Sequence, residues 1–144
     1  MELQALKLVV TDADANQLLA EAAANGLEAR SLRVHFTTEG VQVTGETSAL
    51  LFKVSFETLW ELTLHDGRVG AKLKSMKVAG VPAGKLRAVL LKVLRDAVAG
   101  RPGIAVEDEA VTVDVNTMLS AQRLPLRVGL TAVRCGEGNV VIEA

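Results

Sequence analysis

Residues 50–64 read LLFKVSFETLWELTL, and large apolar or β-branched side chains occupy every second position. Leu50, Phe52, Val54, Phe56, Thr58, Trp60, Leu62 and Leu64 form one face. Lys53, Ser55, Glu57, Glu61 and Thr63 form the other, interrupted by Leu51 and Leu59. Period-two alternation is the signature of a half-buried strand. Fifteen residues would span about 50 Å if straight, where a common strand has about 5–6 residues. So long a strand must twist, and its apolar face needs a cover. All the aromatic residues except Phe36 lie on that face.

Around this strand the pattern predicts an ordered series of elements. Thr11 caps a helix over DADANQLLAEAAAN, with Asp12 and Asp14 in its first turn and Gly26 as its stop. Its apolar stripe is Leu18, Leu19, Ala22 and Ala23. SLRVHF follows as a strand with Leu32, Val34 and Phe36 on one face, and a Glu39-Gly40 turn leads into VQVTGE. The long strand turns at His65-Asp66-Gly67 and returns as RVGAKLKSMKVAG. There the apolar phase moves from Val69, Ala71 and Leu73 to Met76 and Val78, which predicts a β-bulge after Ser75.

A second helix is predicted after Val81, with Pro82 in its first turn and Gly100 and Pro102 ending it. Leu86, Val89, Leu90, Val93, Leu94 and Ala97 share its apolar face, while Lys85, Arg87, Lys92 and Arg95 lie off it. Short strands at IAV and AVTVDV come next, then a short helix near NTMLSAQ. A hairpin of LRVGLTAVRC with NVVIEA, turning at Gly136-Glu137-Gly138, closes the series. VVTDADANQLL and VTVDVNTML resemble each other, with Asn16 matching Asn116. Each precedes a Glu-Gly turn, which suggests an internal helix-hairpin pseudo-repeat. The expectation is one α+β domain over residues 1–144, built on a long antiparallel sheet whose apolar face needs a cover.

Composition narrows the function classes. Forty-nine per cent hydrophobic and 23% charged residues describe a globular chain. No apolar run reaches the ~18 residues of a membrane span. MELQALKLVV has no basic region or signal-peptide core, so the chain as written reads as cytoplasmic, or as a cell-envelope protein if a leader was removed. The single Cys135 fits a reducing compartment and a structural place in a strand. Charge is uneven: residues 68–101 carry nine basic side chains against Asp96, a net +8. The other seven basic and sixteen acidic residues give −9. That segment predicts a basic surface facing an anion or an acidic partner.

Catalytic signals are absent. GVPAGKLRA lacks the spacing and hydroxyl of a phosphate loop, and no nucleophile-elbow motif occurs. His35 and His65 have no partners at metal-ligand spacing, and Glu107-Asp108-Glu109 reads as a solvated acidic loop. Stacking aromatics are not interleaved with the basic residues, which disfavours nucleic acid. No cofactor or metal is expected, and the chain does not read as an enzyme.

The order helix, hairpin, long strand pair, amphipathic helix, helix and hairpin resembles the tubular lipid-binding (TULIP) superfamily, in particular the bacterial LmeA-like phospholipid-binding proteins. The resemblance rests on TDADANQLLAEA, TTEGVQVTGE, VAGVPAGKLRAVLLKVL and the closing GIAVEDEAVTVDVNTMLSAQRLPLRVGLTAVRCGEGNVVIEA. It implies a long, strongly curved antiparallel sheet wrapped around an amphipathic helix, with lipid chains in the apolar groove between them. The lining is then expected from Phe52, Val54, Phe56, Trp60 and Leu62 with Leu86, Val89, Leu90 and Val93. A phospholipid or fatty-acid-like ligand would place its head group at Lys72, Lys74, Lys77 and Lys85, against an anionic membrane surface. The alternative is an assembly module whose apolar faces a homodimer closes.

Overall fold

The computed structural model describes residues 2–3, 5–24, 30–49, 52–79, 87–88, 91–92, 95, 102–107 and 110–144. The chain begins with β1 (Glu2–Leu3), β2 (Lys7–Thr11) and α1 (Asp12–Ala24). Four long antiparallel strands follow: β3 (Arg30–Thr37), β4 (Gly40–Ala49), β5 (Phe52–His65) and β6 (Arg68–Ala79). Then come β7 (Ile104–Glu107), β8 (Ala110–Val113), α2 (Val115–Ala121), β9 (Arg127–Val128), β10 (Ala132–Gly136) and β11 (Asn139–Glu143).

These strands form a six-stranded sheet ordered β3-β4-β5-β6-β8-β7, a three-stranded sheet ordered β10-β11-β2, and the pair β1-β9. The protein is α+β and mostly antiparallel, and no described sheet closes into a barrel. The β10-β11 hairpin packs against β3, with β10 also touching β4 and β5. Among the described residues no helix is long and apolar enough to cross a membrane.

The long strand is fourteen residues, Phe52–His65, and its alternation sets the register on both sides. Val41, Val43 and Gly45 of β4 stand opposite Trp60, Thr58 and Phe56. Leu73, Met76 and Val78 of β6 stand opposite Trp60, Thr58 and Phe56 on the other side. The register slips between Leu59 and Trp60, whose partners are Ser75 and Leu73, so Lys74 is the extra residue. The bulge therefore comes just before Ser75, not after it. It lets one strand change phase while the apolar face stays continuous. Asp66 and Gly67 both have positive φ, 50° and 74°, matching a primed hairpin turn.

Several boundaries differ from the sequence expectation. The first hairpin turns at Thr38 and Glu39, and Gly40 already pairs with Thr37. Thr37 fixes that turn: its hydroxyl donates to the Gly40 carbonyl at 3.1 Å and accepts from the Glu39 amide at 3.2 Å. LRVGLTAVRC is two strands, because Arg127–Val128 pairs in parallel with β1 whereas Ala132–Gly136 pairs with β11. Strands β1 and β2 had no counterpart in the pattern. The second helix lies mostly outside the described residues. Within it Arg87, Ala88, Leu91, Lys92 and Arg95 are helical, with Lys92 and Arg95 exposed and Arg87 half-buried.

Helix α1 starts as expected, and of its expected stripe Leu19 is half-buried while Leu18 is exposed. Thr11 and Asp14 form a reciprocal cap: the Asp14 amide donates to the Thr11 hydroxyl at 3.2 Å, and the Thr11 amide donates to the Asp14 carboxylate at 3.0 Å. The side turned inward carries Asp12, Ala15, Asn16 and Leu19, spaced as one helical face, while Leu18 is 62% exposed. Polar bonding to the sheet edge overrides the aliphatic stripe. The Asn16 amide accepts from Val34 N–H at 2.7 Å and donates to its carbonyl at 3.1 Å. Asn116 of α2 treats Val128 in the same manner, at 2.7 and 2.9 Å.

Candidate functional site

The register builds one apolar face across six strands. Val34 and Phe36 of β3 lie opposite Val43 and Val41. Leu62 and Leu64 of β5 continue through Ala71 and Val69 to Val111 and Val113 of β8, then to Val106 and Ile104 of β7. Burial is uneven along it. Phe36, Phe56, Trp60 and Leu73 are buried. Leu62, Leu64, Val69, Ala71, Val111, Val113, Val106 and Ile104 are only half-buried. The face is tight in its middle and partly open toward β8 and β7.

Among the described residues Thr58 is the one buried polar side chain in the tight part, only 1% exposed, and its hydroxyl both donates and accepts. Its hydroxyl donates to the Val43 carbonyl at 2.9 Å and accepts from the Trp60 indole N–H at 2.8 Å. A buried donor left unpaired costs about 1–3 kcal/mol, so this relay is what permits a tryptophan here. Gly45, opposite Phe56, removes a side chain where the ring lies: a Cβ there would stand 3.0 Å from Phe56 Cζ and 2.7 Å from Leu32 Cδ2.

Of the expected lining, Phe56 and Trp60 are therefore buried among protein atoms and Leu62 is half-buried. Phe52 and Val54 belong to β5 and are paired with Ala49 and Thr47, but their side chains lie outside the described set. Leu86, Val89, Leu90, Val93 and Lys85 lie outside the described residues.

Lys72, Lys74 and Lys77 are exposed on β6. Lys72 stands opposite Glu61 and Lys77 opposite Glu57, on the strand phase that alternates with Trp60 and Leu62. Those two lysines thus share the polar face of the sheet, away from the apolar lining. A depression of about 430 Å³ on this side is lined by Gln42, Glu57, Leu59, Ser75 and Lys77 with the Thr37–Glu39 turn. Gln42 donates to Glu57 within it at 2.5 Å. A second, also about 430 Å³, brings Lys74 near Glu39, Glu61 and Cys135. Burial pushes the Cys135 thiol up, which favours its protonated form.

The one cluster that the pattern missed centres on His35. Its Nδ1 is 2.5 Å from Asp12 and its Nε2 is 3.1 Å from Glu137. Carboxylates only accept, so two such partners require both ring nitrogens to carry protons. The Asp12 hydrogen bond is the main cause of a raised His35 pKa. Asp12 in turn is lowered, first by the Phe36 amide that donates to it at 2.8 Å and then by His35. Three backbone segments close a ring here: Phe36 N–H to Asp12, Asp12 N–H to the Gly138 carbonyl at 3.1 Å, and Gly138 N–H to the Phe36 carbonyl at 2.9 Å. Among the described residues no group of histidine, cysteine and acidic side chains could hold a metal ion. The residues around His35 are separated by about 23 and 102 positions in sequence, beyond the reach of any local motif.

No protein-family model, no curated protein and no solved structure matches this chain. The likeness to tubular lipid-binding proteins rests on the sequence pattern alone.

Proposed function

We propose that the protein binds a lipid or another hydrophobic molecule, without catalysis, against the apolar face of the six-stranded sheet. The observation that carries this reading is the half-buried stretch running from Leu62 and Leu64 across Ala71 and Val69 to β8 and β7. An apolar surface left partly wet beside a tightly packed centre favours burial of alkyl chains, each CH₂ contributing about 0.8 kcal/mol. Sheet curvature around the segment containing Leu86, Val89, Leu90 and Val93 would deepen this face into a groove, as the resemblance implies. The paired asparagine contacts, Asn16 with Val34 and Asn116 with Val128, support a helix-hairpin pseudo-repeat that frames the two ends of such a groove. Head-group capture falls to Lys72, Lys74 and Lys77 as a group, all exposed on β6. Native mass spectrometry of purified protein should reveal a co-purified apolar ligand. Titrating delipidated protein with phospholipid or fatty acid should change Trp60 fluorescence. A ligand-free spectrum together with an unchanged emission spectrum would remove the proposal.

A further inference from the structure

The two exposed edges beside the hairpin are treated in opposite ways. In β3 the outward backbone groups of Val34 and Phe36 are all bonded: Val34 by the Asn16 amide, Phe36 by Asp12 and Gly138. In β2 the even positions face β11. Leu6 exchanges both hydrogen bonds with Ala144, at 3.0 and 2.9 Å, and the register runs on unbroken through Leu8–Ile142 and Val10–Val140. The odd positions Lys7, Val9 and Thr11 therefore point their backbone groups outward. β2 is the end strand of its sheet, and among the described residues no strand pairs with that side. Proteins usually blunt such an edge with proline, a bulge or several charges. This one carries only Lys7, and it exposes Leu8 and Val9, 47% and 46% accessible, on its two faces.

We propose that the outward edge of β2 pairs antiparallel with the same edge of a second copy, joining two three-stranded sheets into one of six. The strand is self-complementary about Val9. With Val9 opposite Val9, Leu8 meets Val10 and Lys7 meets Thr11, twice over by the two-fold axis. Four backbone hydrogen bonds form: Val9 with Val9 in both directions, and each Lys7 N–H with a Thr11 carbonyl. The Thr11 N–H takes no part, because Asp14 already holds it. Charge agrees with this register. Lys7 of one copy arrives at the start of α1 of the other, where Asp12 and Asp14 occupy the first turn. The inference is independent of the ligand reading, since it uses neither the β5 face nor the lysines of β6.

The test combines light scattering across a dilution series with a cross-link. Paired residues of this kind have Cα atoms about 5.5 Å apart, within the span of a short bismaleimide. In a Cys135→Ser background, a short bismaleimide should therefore join Val9→Cys into a covalent dimer, while Leu18→Cys, exposed on α1, should stay unjoined. Wild type should dissociate on dilution, and Val9→Lys should lose the dimer while keeping its circular dichroism spectrum. The Val9→Cys cross-link keeps the question decidable if the lysine variant fails to fold. A monomer at every concentration overturns the proposal, as does a dimer whose Val9→Cys variant fails to cross-link. A monomer that carries lipid at β2 overturns it in favour of an apolar ligand on that edge.

Discussion

Replacing Gly40 with alanine isolates how tightly β4 and β5 are joined beside Trp60. Gly40 has φ +146°, a conformation that side chains rarely adopt, and a Cβ built there would lie 2.1 Å from the Trp60 carbonyl oxygen. The next atoms, the Trp60 carbonyl carbon at 3.0 Å and Glu61 Cα at 3.5 Å, are also backbone, so no rotamer change relieves the overlap. Backbone strain of this sort costs about 1–3 kcal/mol, and overpacking another 1–3 kcal/mol. Together that is about 2–6 kcal/mol against a total of about 5–15 kcal/mol for an ordinary domain. With an unfolding entropy near 2.1 cal/mol/K per residue, each kcal/mol moves Tm by about 3 °C in a chain of this length. The expected loss is about 7–20 °C by circular dichroism melting, with a lower urea midpoint and an unchanged m-value. Gly67→Ala is the control: φ is +74°, but nothing lies within 4 Å of its Cβ. It should cost only about 1–2 kcal/mol, or about 3–7 °C. If Gly40→Ala melts no lower than Gly67→Ala, the close approach at Trp60 does not govern this junction and the reasoning fails.

His35 makes stability depend on pH in a definite direction. Its folded pKa is raised, so the contribution is complete below about 6.5, the unfolded value, and is lost as pH rises through the folded value. The difference in Tm between wild type and His35→Gln should therefore shrink from pH 6 to pH 9; a constant difference would show that the ring charge is irrelevant. Asp12, Asp14 and Asp114 are lowered by the amides of Phe36, Thr11 and Thr117, so their contributions persist above about pH 4 and fade in stronger acid. Thr58→Val keeps the shape but strands the Trp60 N–H, and should cost about 1–3 kcal/mol with altered Trp60 emission. A melt and spectrum identical to wild type would contradict the relay. Replacing Lys72, Lys74 or Lys77 singly with Gln should weaken association with anionic vesicles about fivefold, from roughly 1 kcal/mol per basic residue. Unchanged binding for all three would mean that the basic strand has no part in recognition.

Much of the fold was legible because period-two alternation is written directly into β5 and β6, and because Thr11, Gly67 and Glu137-Gly138 carry local turn and cap chemistry. The displaced bulge was visible as a phase change, but its exact residue depends on which neighbour Lys74 loses. The orientation of α1 was legible only in part: Leu19 of the aliphatic stripe is turned inward but Leu18 is not, because backbone groups of a strand about 18–24 residues later turn Asp12 and Asn16 inward. β2 was missed because it pairs with β11, far along the chain, and leaves every residue but Val10 exposed. The His35 cluster was hidden for the same reason, since its partners come from α1 and from the last hairpin.

The pairing of β2 with β11 has a consequence in time. Thr11 and Lys7 wait for Asn139 and Glu143, and at about 5–20 residues per second a ribosome takes roughly 6–26 s to cover that interval. Throughout it Leu8 and Val9 belong to a strand with neither edge satisfied. The nascent chain therefore carries an apolar, pairable segment for longer than most small domains need to fold. Translation speed, and the chaperones that meet the emerging chain, should govern how much of this protein reaches its native state.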